Sequence, residues 1–141
     1  MKKLFMILTM LSLIFGSFTK VHADETTLPD FNVTARDFFN ELEPAITAGG
    51  YTILDKYIFK TFHITGEIKD NVIDDNSHRI TLKADDDWGA VYCEVRPAAS
   101  NEVAKLKKGE IVTLQAISVG WLVGPSFQDC FVVKNNPASG L

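Results

Sequence analysis

Seven residues, Phe62 to Ile68, set the frame for the whole chain. Phe62, Ile64 and Ile68 share one face of an extended segment; His63, Thr65, Glu67 and Lys69 share the other. Side chains alternate across a strand with a period of two, so this pattern predicts a strand with one face in a core. Gly66 falls on the apolar face in mid-strand. Glycine weakens a strand there unless the chain has to bend or bulge. The expectation is a long strand that bends at Gly66 and pairs in both halves of a small barrel.

The start of the chain reads differently. Lys2 and Lys3 precede an apolar run from Leu4 to Phe15 whose only polar members are Thr9 and Ser12. Gly16 and Ser17 break it, and Val21-His22-Ala23 puts small residues at the −3 and −1 positions of a cleavage site. This is the pattern of a secretory signal peptide cut after Ala23. The run falls short of the roughly 20 apolar residues that span a bilayer. No cysteine adjoins the site to take a lipid anchor. The domains expected are therefore 1–23 signal peptide, 24–32 flexible mature N-terminus, 33–134 one folded domain and 135–141 polar tail, in a periplasmic or secreted bacterial protein. Cleavage removes three lysines and no acid, which leaves 118 residues with eleven basic against eighteen acidic side chains, a net charge of −7. Such a chain is a poor candidate for strong non-specific phosphate binding, which needs clustered Lys and Arg.

The only cysteines are Cys93 and Cys130. In an exported chain such a pair is expected to form a disulfide. Neither Cys-x-x-Cys nor His-x-x-x-His spacing occurs, so no zinc site with His63 and His78 is expected, and no cofactor is implied.

After Pro29, Thr34 is a helix N-cap with Asp37 three residues on. Phe38, Phe39 and Leu42 make an apolar stripe. Pro44 should end or kink this helix, Ala45 to Ala48 would add a second short turn, and Gly49-Gly50 is a stop signal. Ile53, Leu54 and Tyr57 lead into the first strand. Asp70 to Ser77 reads as a turn cluster. Ile80, Leu82 and Ala84 alternate with Arg79, Thr81 and Lys83; Asp85 to Gly89 makes a hairpin turn; Val91, Cys93 and Val95 alternate with Tyr92, Glu94 and Arg96. Pro97 ends that strand. A short helix capped at Ser100 or Asn101 runs through Lys107. Ile111 to Val119 and Phe127 to Val133 are the last strands, with a loop at Gly120, Gly124 and Pro125. The inner face of the last strand is open: Cys130 is in phase with Val132, yet Phe131 and Val133 are as apolar. The predicted fold class is mainly β: a five-stranded OB-fold barrel with an N-terminal helix and a short helix between strands three and four.

Tyr57-Ile58-Phe59-Lys60, Ile64-Thr65-Gly66-Glu67-Ile68, the strand ending at Cys93, Leu106-Lys107-Lys108-Gly109-Glu110 and Asp129-Cys130 together resemble the tRNA_anti-like group, small exported bacterial OB-fold proteins. The resemblance spans about Val33 to Val133 and implies a fold. The nucleic-acid name comes from likeness to an anticodon-binding domain and does not by itself imply a function. Gly49-Gly50 and Pro44 depart from the group's continuous helix.

If the alternation holds, Arg79, Thr81, Lys83, Tyr92, Glu94 and Arg96 point outward together, on the face where OB-folds bind extended ligands. Tyr92 would stack on a base or sugar ring, with Arg79, Lys83 and Arg96 beside it; the competing reading is an ordinary solvated face with cross-strand charge pairs. Trp121, Leu122 and Val123 form an apolar tip that either meets a partner or lets Trp121 plug the barrel end. Asp74, Asp75, Asp85, Asp86 and Asp87 lie in turns without the spacing of a calcium loop. Neither His63 nor His78 shows a third group to orient it, so no enzyme is expected. The function expected is an exported binding module for nucleic acid or another oligomeric ligand across strands two and three. The alternative is a protein–protein module, an inhibitor or assembly factor of the envelope.

Overall fold

The structure, a computed structural model, describes residues 28–85 and 88–133. The predicted leader, residues 24–27, Asp86, Asp87 and the polar tail lie outside the described residues. The elements in order are β1 (Phe31–Thr34), α1 (Ala35–Thr47), a 3-10 helix (Tyr51–Lys56), β2 (Thr61–Ile73), β3 (His78–Lys83), β4 (Ala90–Val95), a short 3-10 helix (Pro97–Ala99), α2 (Ser100–Val103), β5 (Ile111–Trp121) and β6 (Pro125–Val132).

Strand β2 is the long bent strand. Thr61 to Glu67 pair antiparallel with β5, and Glu67 to Ile73 pair antiparallel with β3. The change of partner falls next to Gly66. A Cβ there would sit 3.0 Å from the Cβ of Ala35 and 3.2 Å from that of Leu82. Glycine thus lets the first residue of α1 and strand β3 close on the bend. A register shift between Ile68 and Asp70 adds a bulge, which increases local twist. From β3 the sheet continues to β4, then to β6 in parallel, then to β5, which returns to β2. Counted from β2, the barrel order is 1-2-3-5-4-1, the OB-fold topology.

Strand β1 is an addition to that barrel. It lies parallel to β2, from Phe31 beside Phe62 to Thr34 beside Thr65. The expected flexible segment runs through Asn32, whereas Phe31 and Asn32 already belong to this strand. Phe31 stacks on Phe62 and meets the edge of Tyr57, both at 5.0 Å between ring centres. One aromatic side chain with two aromatic partners outweighs the lack of periodicity around it.

Thr34 ends β1 and caps α1: its backbone is extended and its hydroxyl accepts the Asp37 N–H at 3.1 Å. Ala35, Phe38, Phe39, Leu42 and Ile46 form the buried stripe. Pro44 does not end the helix, which continues to Thr47. The carbonyl that proline leaves without a donor belongs to Asn40, an exposed residue, so water can satisfy it. The stop comes at the glycines. Gly49 has φ of +85°, its N–H donates to Ile46 O at 2.9 Å, and the Gly50 N–H reaches Ala45 O at 2.7 Å; this pair of bonds is the Schellman cap. A 3-10 helix then carries Ile53 and Leu54.

Other boundaries also moved. Asp70 to Ile73 belong to β2, so the turn is only Asp74 to Ser77. The helix after β4 stops at Val103 rather than Lys107. Strand β5 reaches Trp121 and β6 starts at Pro125, which leaves a tight hairpin at residues 122–124.

The core centres on Phe38, Phe62 and Phe127, with ring centres 5.0 to 5.8 Å apart. Cys93 and Cys130 are fully buried and joined by a disulfide, with Cα atoms 6.1 Å apart. The bridge crosses the parallel β4–β6 seam. Cys93 aligns with Phe127 and Val95 with Cys130, so β6 carries one residue more than β4 over that span. Asp129, with φ of +58°, sits in this bulge. Phe127 and Cys130 can therefore both face inward although three positions separate them. No helix among the described residues is long and apolar enough to cross a membrane.

Candidate ligand groove

The outer face of β3 and β4 is set by pairing. Arg79 lies opposite Glu94, and Thr81 opposite Tyr92. Because Val91, Cys93 and Val95 point into the core, Tyr92 and Glu94 face outward. Strand β6 runs alongside, with Ser126 beside Tyr92. The β5–β6 hairpin folds tightly over this edge. A Cβ on Gly124 would fall 2.4 Å from the Ala90 carbonyl oxygen and 3.2 Å from the Tyr92 ring.

These pieces enclose a cleft of about 370 Å³. Tyr92, Arg79 and Glu94 form one side, Phe127 and Gln128 come from β6, and Leu122 and Val123 form the hairpin wall. Leu122 and Val123 are 84% and 69% exposed, so that wall presents bare apolar surface. A second cleft, of about 350 Å³, lies between the β2–β3 turn and the start of α2, bounded by Asp74, Asp75, His78 and Ser100. Glu94 lines both. The two clefts adjoin at Glu94 and are taken together as one groove, apolar at the hairpin and acidic at the turn.

The groove has three carboxylates, Asp74, Asp75 and Glu94, against the single guanidinium of Arg79. Asp74 is held below the usual carboxylate range by the Ser77 hydroxyl and by the backbone N–H groups of Asn76 and Ser77. His78 is depressed below its ordinary value, chiefly because burial penalises its charged form, with Glu94 opposing. Its ring is bonded at both nitrogens. The Asn71 amide donates to the carbonyls of Val103 and Leu106 at 2.8 and 3.1 Å. Asn71 Oδ1 is therefore the acceptor for His78 Nε2–H at 2.6 Å, and Nδ1 accepts from the Ser100 hydroxyl at 2.8 Å. This supplies the third group, Asn71, that the sequence does not reveal.

Of the five residues expected to touch a ligand, the groove brings together Arg79 and Tyr92. Lys83, at the far end of β3 beside Ala90 and Glu67, is not on its lining. Arg96 faces another way: its guanidinium makes two bonds to Asp129, at 3.0 and 2.6 Å, and lies 4.4 Å over the Phe131 ring. The bulge at Asp129 aims that carboxylate at Arg96. Trp121 stacks on Phe39 of α1 at 5.7 Å and packs against the core; its hairpin neighbours Leu122 and Val123 reach the groove in its place. Glu94, Phe127 and Gln128 are groove residues that sequence reading did not single out. Alternation already put Glu94 beside Tyr92; nothing in the sequence signalled the other two. Of the acidic hairpin, Asp85 accepts the N–H groups of Trp88 and Gly89 at 2.9 and 2.7 Å, while Asp86 and Asp87 lie outside the described residues.

No protein-family profile and no curated protein matches the chain. Solved structures do. A Klebsiella pneumoniae protein, provisionally named a nucleic acid-binding lipoprotein, is 18% identical with a TM-score of 0.59 over 73% of this chain and 91% of its own. The likeness is one of fold. Slighter overlaps occur with a chain of the S. pombe Stn1–Ten1 complex (14% identity, TM-score 0.44, 57% of this chain and 68% of that one) and with yeast Stn1 and Ten1 (16%, 0.40, 79% and 66%).

Proposed function

We propose that this chain is an exported, non-enzymatic binding module that holds an extended ligand in the groove between the β5–β6 hairpin and the β2–β3 turn. One observation carries the reading: Tyr92, Leu122 and Val123 meet in an open cleft on the face that OB-folds use for ligands. Export is supported by the Lys2-Lys3 leader ending in Val21-His22-Ala23 and by the disulfide, a bond typical of oxidising compartments. Kinship with the tRNA_anti-like group rests on the short motifs around Gly66 and Lys108-Gly109. The Ser100–His78–Asn71 chain has the connectivity of a nucleophile, base and orienter, but its bonds tie α2 and the turn after it to β2 and β3. We read it as a clamp.

Single-stranded nucleic acid is one ligand class, suggested by the name of the Klebsiella protein and by the stacking surface of Tyr92. A protein segment is the other, favoured by the exposed apolar hairpin wall. The test is an NMR titration of the isotope-labelled chain with a twelve-residue oligothymidylate, a neutral oligosaccharide and a pool of random peptides. The expected result is that a binding ligand moves the amides of Tyr92, Glu94 and Val123 first. Tyr92→Ala then weakens it about tenfold, within the range of one lost aromatic stack. Binding that maps elsewhere and ignores Tyr92→Ala would refute the groove.

A further inference from the structure

We infer that the groove takes an extended cationic peptide, with an apolar or aromatic side chain at the hairpin end and a lysine or arginine at the turn end. This deepens the binding-module reading and rests on it. The two ends of the groove differ in chemistry, so they ask for different groups on one ligand. At the hairpin end, Tyr92, Leu122 and Val123 offer apolar surface, and covering it is favourable for any apolar side chain. Toward the turn end, Glu94, Asp74 and Asp75 outnumber Arg79, and His78 adds no charge in its neutral form. Arg79 lies opposite Glu94 across the β3–β4 ladder and its charge also acts on Asp74, so one guanidinium stands against three carboxylates.

A polyphosphate strand in this groove would lay charge against that excess, and like charges brought together in a cleft cost free energy. The net charge of the full chain, −4, works in the same direction at long range. The basic residues that could have offset it, Arg96 and Lys83, are placed away from the groove, the first on Asp129. A neutral sugar would leave the carboxylates unmatched. A peptide satisfies both ends: alternate side chains of an extended chain can drop into separate pockets while its backbone spans the distance between them.

The test is display selection of random dodecapeptides on the folded full chain, followed by affinity measurement. Selected peptides should be enriched in Lys or Arg together with an apolar or aromatic residue, and depleted in Asp and Glu. A selected peptide should lose at least tenfold in affinity on Glu94→Gln. The same peptide with its cation replaced by glutamine should bind both proteins equally weakly. Leu122→Ser, at an exposed hairpin position, should weaken both peptides alike. Enrichment without a cation, or indifference to Glu94→Gln, overturns the inference. The twelve-residue oligothymidylate runs as a parallel arm. If it binds in a Tyr92-dependent way and no peptide does, the groove stands and the cationic peptide falls; if neither binds, both readings fall together.

Discussion

His78 is buried, and its burial has a measurable consequence. The neutral ring donates to Asn71 and accepts from Ser100, and protonation would put a charge where solvation is poor. Its folded pKa is depressed, with burial the main cause and the carboxylate of Glu94 opposing. The sign follows from linkage: the unfolded chain takes up the proton more readily, so stability rises with pH across this titration. The contribution is present above the ordinary value near 6.5 and lost as pH falls through the lower folded value. Thermal melts between pH 8 and pH 4.5 should show a fall in Tm that His78→Gln flattens. An identical slope in both proteins would place the sensitivity elsewhere. Tyr57 shows the same logic at the other end of the pH scale: burial and its hydrogen bond to Glu41 raise its phenol above the ordinary range.

At the scale of elements, the β5–β6 hairpin is held by contact rather than by length. Any side chain at Gly124 would collide with the Ala90 carbonyl oxygen, which cannot swing aside as a side-chain tip can. Gly124→Ala should therefore cost about 2 kcal/mol, within the range for overpacking, and should lift the hairpin away from Tyr92. Urea unfolding measures the first effect, and loss of groove binding at temperatures where the variant is folded measures the second. The same element shows where sequence reading works. Alternation in β3 and β4 placed the core and outer faces, since both strands are regular from Arg79 to Val95. It stopped working in β6, because one extra residue at Asp129 resets the phase and no residue type announces a bulge. Arg96 was misplaced for the same reason: its partner is created by that bulge. Pro44 does not end α1 because its penalty depends on whether the orphaned carbonyl meets water, and burial is a tertiary fact. The bend at Gly66 was legible, since glycine on an otherwise apolar strand face has few other uses. The groove itself was half legible. Its Arg79 and Tyr92 follow from pairing, but its hairpin wall depends on how a loop folds back.

For the whole molecule, the disulfide is the strongest single constraint on the unfolded chain. It closes a loop across 37 positions, for which the chain-entropy model gives about 4 kcal/mol. Reduction, or the Cys93→Ala/Cys130→Ala pair, should lower urea stability by up to that amount while leaving the barrel topology intact, as judged by far-ultraviolet circular dichroism. A change below about 1 kcal/mol would mean that the reduced chain keeps the seam closed unaided. The position of the bridge has a further consequence during synthesis. Cys130 lies in the last strand, and its partner waits in the middle of the chain. The bond can form only when almost the entire domain has been made and released. A chain cut short before residue 130 keeps Cys93 as a lone thiol on a barrel that lacks the strand needed to close it.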